Sequence, residues 1–328
     1  MKNICFLFAV ALLILPRGGP LVAQSVVFSG EKAENFDLYL LDPGSMKTTP
    51  LTNLKSKESQ PTVSPDGKQV AFISDKDGAD SIYLLDLTAP TKEWINISAG
   101  MGAYAHPCFS PDGKTIAVNY APDPENVMED TRLVIIDPAN KKQTTILESK
   151  KFKPISEDGP MIVLDRPRWI ASDSLVFVEI EYSGKEAPRV TASTIHRIDL
   201  STQKSVRLAG GESYYNGTGQ AKGYMASIPY FNKDSSMINS TITFAAIEGK
   251  IDRTPMSMTP EGKEKKVVAL NDTNFFGPVL MLDNGYLYVY RSNDDKLRMA
   301  FLPNGKNAKK REIQFDGQAM DPFLVPIP

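Results

Sequence analysis

The stretch QPTVSPDGKQVAF, Gln60 to Phe72, returns as HPCFSPDGKTIAV, His106 to Val118. Each copy runs an X-Pro pair into a short apolar or β-branched run, then a Pro-Asp-Gly triplet, then a second apolar run. Proline pre-sets φ and glycine accepts positive φ, so the triplet is a tight turn between two strands. Proline at a strand's first residue costs no ladder bond, which lets X-Pro open a strand. Taking this copy as a ruler, four more places answer: Arg166-Pro167, Ile228-Pro229, Gly277-Pro278 and Asp321-Pro322, spaced 44 to 62 residues apart along the chain. An aspartate follows the proline by five residues at Asp66, Asp112, Asp234 and Asp283, and by six at Asp173.

Each copy continues alike. A β-rich run follows the aspartate, as in Gln69 to Ser74 and Thr115 to Tyr120. Another often ends in aspartate, as in Leu38 to Asp42, Ile82 to Asp86, Leu133 to Asp137 and Ile195 to Asp199. A shorter run closes the unit. Four short strands per repeat, without competing helical periodicity, predict an all-β protein: a six-bladed β-propeller of four-stranded antiparallel blades. Ser25 to Ser29 reads as a second strand with no first strand before it. Asp321 to Val325 reads as a first strand with nothing after it. The C-terminal strand, 318–326, is therefore expected to complete the blade begun at 25–54 and close the ring.

The first residues read differently. Lys2 precedes an unbroken apolar run, Ile4 to Leu15, and Ala23 offers a small residue for cleavage. Residues 1–23 are expected to be a signal peptide and 24–328 a single propeller domain, with no transmembrane segment once the signal is removed. Cys108 is then the one remaining cysteine, so no intrachain disulfide is expected. Removing Lys2 and Arg17 from the 37 basic residues leaves 35 against 39 acidic ones. That balance, and the absence of a basic stripe, predict no nucleic-acid binding. A monomer is expected.

The segment SQPTVSPDGKQVAFISDKDGADSIYLLDL, Ser59 to Leu87, and the similar Val27 to Asp42 resemble the repeat of the TolB-type propeller family. The resemblance covers residues 25–328 as a whole, most strongly in the first three blades. It implies a periplasmic or cell-envelope location in a bacterium and protein binding. TolB carries an α/β domain ahead of its propeller. None is expected here, because the first strand starts within a few residues of the cleavage site.

Strand direction places the loops that enter the innermost strands at one end of the channel. Four long connections are expected there: Ala121 to Thr131, Ser149 to Asp165, Glu181 to Thr194 and Gly210 to Ser227. Binding usually resides in such loops on a rigid scaffold. The residues before the six prolines, Gln60, His106, Arg166, Ile228, Gly277 and Asp321, are expected to converge at that mouth, with Asp165 beside Arg166. A histidine, an arginine and a carboxylate together would grip a polar or anionic ligand. Tyr104, Tyr214 and Tyr215 are expected as exposed aromatic anchors on the loops around it. His196 occupies the position of Tyr39 and Tyr83 in other third strands and is expected to pack between blades.

No catalytic motif emerges: there is no G-x-S-x-G, no H-E-x-x-H and no paired cysteine motif. His106 alone is too few ligands for a metal site. No cofactor and no metal are expected. The function read from the sequence is an exported, non-enzymatic propeller that binds an envelope protein or a small polar or anionic ligand. The alternative is a carbohydrate-active enzyme, a lyase or hydrolase, with its site at the channel mouth.

Overall fold

The computed structural model describes residues 25–89, 93–149, 161–184, 189–215, 221–231, 236–244, 252–268, 270, 272, 274–305 and 307–324. The expected signal segment lies outside them. The described residues form six antiparallel sheets in a ring, a six-bladed β-propeller without helix. Each blade begins with an innermost strand that carries the X-Pro pair: Glu58–Val63, Ala103–Phe109, Met161–Ala171, Met225–Phe231, Phe275–Leu282 and, for the blade that closes the ring, Gln318–Leu324.

The Ser-Pro-Asp-Gly turns fold as the sequence reading required. The Ser64 hydroxyl donates to Asp66 Oδ1 at 2.6 Å, and that oxygen accepts the Lys68 amide at 3.1 Å. Ser64 Oγ in turn accepts the Gln69 amide at 2.9 Å. Ser110, Asp112, Lys114 and Thr115 repeat the network at 2.7, 3.1 and 3.0 Å. Gly67 and Gly113 sit at φ 71° and 72°, where a side chain is strained. The aspartates that end the third strands cap the next turn. Asp42, Asp86, Asp137 and Asp199 each accept an amide two residues on.

Blade strands read as continuous apolar runs because both faces are covered. In the second blade Val70, Phe72, Tyr83 and Leu85 pack against Val27 and Leu38 of the first. Ala71, Ile73, Ile82 and Leu84 face the third blade's Tyr104, Phe109, Ile116 and Val118. Successive residues point to opposite faces of a strand, so one sequence feeds two inter-blade cores. Phe72 lies across from Tyr83 and stacks on it, ring centroids 6.0 Å apart. Phe28 with Tyr39, and Phe177 with His196, repeat that pair at 5.5 and 5.4 Å. His196 is thus a packing residue, as expected. Burial holds its pKa down to about 4, with Arg207 adding to the effect.

Closure is as expected. Gln318–Leu324 pairs antiparallel with Val26–Lys32, with Val27 opposite Phe323 and Ser29 opposite Met320. Phe315 packs edge-on to Phe28 and Tyr39, at 5.4 and 4.7 Å, where the chain approaches its last strand.

The fourth blade departs from the expected plan. Its strands Met161–Ala171, Ser174–Ser183, Arg189–Asp199 and Lys204–Tyr215 are 10 to 12 residues long, and a fifth strand, Ala221–Gly223, pairs with the last. Much of three expected loops is therefore hairpin. The sequence explains it: Ser174–Ser183 alternates Val176, Val178 and Ile180 with Phe177, Glu179 and Glu181, and Arg189–Asp199 is rich in β-branched residues.

A buried carboxyl marks the junction of the first two blades. Glu58 is fully buried, accepts from Ser56 at 2.6 Å and Ser74 at 3.2 Å, and leaves Oε2 without a partner. Burial pushes its pKa up to about 7, and nearby Asp37 adds to the rise.

Two predictions follow from this architecture. Truncation after Gly317 strips the innermost strand from the closing blade and exposes a sheet edge, so cooperative thermal unfolding should be lost. A truncated chain melting like the intact one would refute the closure. Glu58 has a folded pKa above its unfolded value, so its contribution is full below about pH 4.5 and lost as pH rises through about 7. Glu58→Gln should flatten the stability profile between pH 5 and 8 and stabilise the protein by about 1–3 kcal/mol at pH 8. Denaturant titrations across that range measure it, and an unchanged profile would contradict the assignment.

Candidate functional site

The residue before every innermost proline has positive φ: Gln60 54°, His106 55°, Arg166 50°, Ile228 52°, Gly277 99° and Asp321 50°. Five of these are not glycine, and a left-handed non-glycine residue costs on the order of 1–3 kcal/mol. At each of the six places the sheet register shifts. The X-Pro pair is thus a β-bulge that re-aims its side chain and removes its amide from the ladder. Glycine is needed at 277, where an added Cβ would collide with the Thr241 hydroxyl.

A displaced amide needs another acceptor. At three bulges a side chain supplies it across the seam between blades. Ser29 Oγ accepts from Gln60 N at 3.0 Å, Gln60 Oε1 from His106 N at 2.6 Å, and Asn119 Oδ1 from Arg166 N at 2.8 Å. The register explains the choice of donor and acceptor. Ser29, Ile73, Asn119, Val178 and Thr241 each pair with the residue just before a bulge. Ser29 and Asn119 can accept, whereas Ile73 cannot, and there Gln60 takes over the task.

The bulges bring His106, Asp165 and Arg166 together. Arg166 Nη1 lies 2.5 Å from His106 Nε2, and Arg166 Nε 3.3 Å from Asp165 Oδ2. His106 Nδ1 lies 2.9 Å from Asp165 Oδ1, a close approach without hydrogen-bond alignment. Arginine only donates, so Nε2 of His106 accepts and its proton sits on Nδ1, facing the carboxylate. Burial, then the Arg166 charge, lowers the His106 pKa and keeps the ring neutral. Burial opposes ionisation of Asp165, but the facing His106 ring, the Arg166 charge and the Arg166 amide, which donates to Oδ1 at 2.9 Å, hold the carboxyl well below its usual range. Asp321, on the closing blade, adds to the field that raises Arg166.

Of the expected site residues, Gln60, His106, Asp165 and Arg166 are in one connected network, with Asp321 in electrostatic reach. Asp165 sits within the strand Met161–Ala171 rather than on a loop. Tyr104 corrects the sequence reading: it is 2% exposed, lies on Ala103–Phe109 and packs against Tyr120 at 4.9 Å. Its hydroxyl reaches Gln143 at 3.2 Å, so a core position with one polar tip suits tyrosine. Tyr214 and Tyr215 lie on a strand, opposite Lys222 and Ala221, and not on a loop. Their side chains lie outside the described residues, as do residues 150–160.

The sequence reading missed three neighbours. Asn119 carried a signal, a polar residue interrupting the apolar run Ile116 to Ala121. Thr241 and Arg253 carried none. Both line a cavity of about 530 Å³ at the mouth, bounded by Asp165 and Arg166 of the fourth blade, Ser227 and Ile228 of the fifth, and Phe276 of the sixth. Among the described residues no group of three or more metal-ligating side chains occurs, and no helix is long and apolar enough to cross a membrane.

Six blades, a strained ring of X-Pro bulges and a polar cluster at the channel mouth define a six-bladed propeller with one elaborated face. The family of the TolB beta propeller domain matches residues 16–198, more than half of the 328-residue chain. The chain belongs to that family. An uncharacterized protein of Agrobacterium fabrum is 31% identical over 100 residues, 30% of this chain and 34% of that one. The Tol-Pal system protein TolB of Francisella tularensis is 33% identical over 75 residues, 22% of this chain and 17% of the relative. The chain thus spans about a third or less of these relatives. Among solved structures, TolB from Acinetobacter baumannii superposes with a TM-score of 0.64 at 15% identity, covering 93% of this chain and 67% of that one. Putative TolB from Agrobacterium tumefaciens gives 0.56 at 13%, covering 90% and 91%. At such identity the likeness is one of fold.

Asp165→Asn tests the cluster. It leaves the Arg166 guanidinium without its carboxylate and should cost about 2–4 kcal/mol at pH 7. Because the Asp165 pKa is depressed on folding, the wild-type advantage is full above the unfolded value near 4 and fades as pH falls below it. Denaturant melts of both proteins at pH 7 and pH 3 check this, and equal stability at pH 7 would remove Asp165 from the network.

Proposed function

We propose that this chain is an exported, non-enzymatic propeller of the bacterial cell envelope that binds a protein partner or a small polar ligand at the mouth formed by Gln60, His106, Asp165, Arg166 and Asp321. One observation carries the reading: the non-glycine residues Gln60, His106, Arg166, Ile228 and Asp321 are held at the mouth by strained backbone, and Gln60, His106 and Arg166 are joined by hydrogen bonds across blades. Rigid, pre-paid geometry of this kind favours binding, because little ordering entropy remains to be lost. The His106 side chain is 13% exposed, with one ring nitrogen on Arg166 and the other against Asp165. A base so enclosed is poorly placed to take a proton from a substrate. Export is supported by the lysine-led apolar run at the N-terminus, and a protein partner by relatives named as Tol-Pal system proteins.

The test uses protein recovered from the periplasmic fraction with its bound partner. Asp321→Asn should weaken that complex at least tenfold, about 1.4 kcal/mol, without shifting the melting temperature. Lys68→Ala and Lys114→Ala, on the tight-turn face, should leave it unchanged. Equal effects on both faces, a cytoplasmic location, or turnover of acidic oligosaccharides by the purified protein would overturn the reading.

A further inference from the structure

The cavity between the fourth, fifth and sixth blades has a charge that its own walls do not balance. Three charged residues line it: Asp165, Arg166 and Arg253. Asp165 and Arg166 pair with each other, which leaves the Arg253 guanidinium uncompensated. Among the described residues Arg253 has no carboxylate partner. It lies 4.6 Å from the Phe276 ring, which also carries Arg291 at 5.0 Å. Arg291 is satisfied by Asp295 at 2.9 Å. Burial, then the neighbouring Arg291 charge, lowers the Arg253 pKa. A cation half-buried beside a second cation is costly unless an anion joins it.

A second observation points into the same space. Thr241 is 2% exposed, lines the cavity and has a hydroxyl without a hydrogen-bond partner. Arg253 pairs across the sheet with Thr243, two residues along the strand from Thr241, so guanidinium and hydroxyl share one face of the blade. The remaining wall is mainly apolar, Ile180, Val190, Met225, Ile228, Phe244 and Phe276, with Ser193, Ser227 and Thr243 set among them. The cavity, about 530 Å³, is of the size that encloses a small organic molecule.

We propose that this cavity binds a monocarboxylate with an apolar body, the carboxylate taken by Arg253 and Thr241 and the body by the aliphatic and aromatic wall. One negative charge matches the one uncompensated positive charge. A bidentate carboxylate–guanidinium contact fixes orientation, while the apolar body displaces water from the wall. A dianion such as phosphate has no apolar body to bury and would meet Asp165. The same chemistry is presented by a free aliphatic or aryl acid and by the C-terminus of a chain ending in apolar residues.

Calorimetric titration of the exported protein tests this with octanoate and 4-phenylbutyrate, and with an acetylated tetrapeptide ending in phenylalanine. Each probe is paired with its primary amide, and acetate and inorganic phosphate serve as controls without an apolar body. At least one acid should bind saturably and at least tenfold more tightly than its amide. Arg253→Met should abolish that preference, and Thr241→Val should reduce it. Tighter binding of the free acids or of the peptide acid identifies the source. Equal binding of acids and amides, no saturable binding, or an Arg253→Met variant that still prefers acids would overturn the proposal. The acid–amide comparison is made on the unaltered protein, so it stands even if a variant fails to fold. The inference rests on this face being the binding face. A protein partner still sensitive to Asp321→Asn while no acid binds would sink the cavity proposal alone, and loss of both would sink the face.

Discussion

A left-handed residue before each inner proline is the constraint on which the rest of this propeller depends. Each bulge bends the innermost strand, takes one amide out of its own ladder and turns one side chain toward its neighbours. The strain costs on the order of 1–3 kcal/mol at each of five non-glycine positions, so the surrounding packing must over-determine it. Both faces of the blades supply that packing. Residues such as Phe72 and Ile73, adjacent in sequence, serve cores on opposite sides of one sheet. Burying a side chain of that size stabilises by roughly 2–3 kcal/mol, so a few of them offset one bulge.

The displaced amides then decide how the blades are joined. From the first blade to the fourth, Ser29, Gln60 and Asn119 hand the amide of the next bulge an acceptor, and the mouth is tied by short bonds. At the next seam the corresponding position is Val178, which has no acceptor to offer, and on that side of the mouth the cavity opens. The polar cluster thus lies where side chains join the bulges across the seams, and the cavity beside the seam whose in-register residue, Val178, is apolar. Arg166 belongs to both.

How much of this the sequence disclosed follows from the range of the interactions. The Ser-Pro-Asp-Gly turns and the strand-ending aspartates are local devices whose bonds span two to five residues, and the X-Pro pairs are contiguous in sequence, so all three are legible in a short window. Six X-Pro pairs, with two Ser-Pro-Asp-Gly turns and four strand-ending aspartates among them, were enough for the ring and its closure. The convergence of Gln60, His106 and Arg166 followed from the repeat, because equivalent positions in a ring must meet. Tyr104 misled because a residue just ahead of an X-Pro pair looks like loop, whereas the innermost strand begins there. Tyr214 and Tyr215 misled because a hairpin extension and a long connection share the same polar, glycine-rich composition. Arg253 left no trace, since its significance is that no carboxylate among the described residues meets it, which only the assembled blades reveal.

Residue-resolved amide hydrogen exchange on the folded protein tests the central claim most directly. The bulge amides of Gln60, His106 and Arg166 should exchange as slowly as ladder amides of the same strands, although none of them belongs to a ladder. Gln60→Ala should release the His106 amide while those of Gln60 and Arg166 stay protected. Fast exchange at all three in the unaltered protein, or no change at His106 in the variant, would contradict an assembly held at its mouth by side-chain bonds between blades.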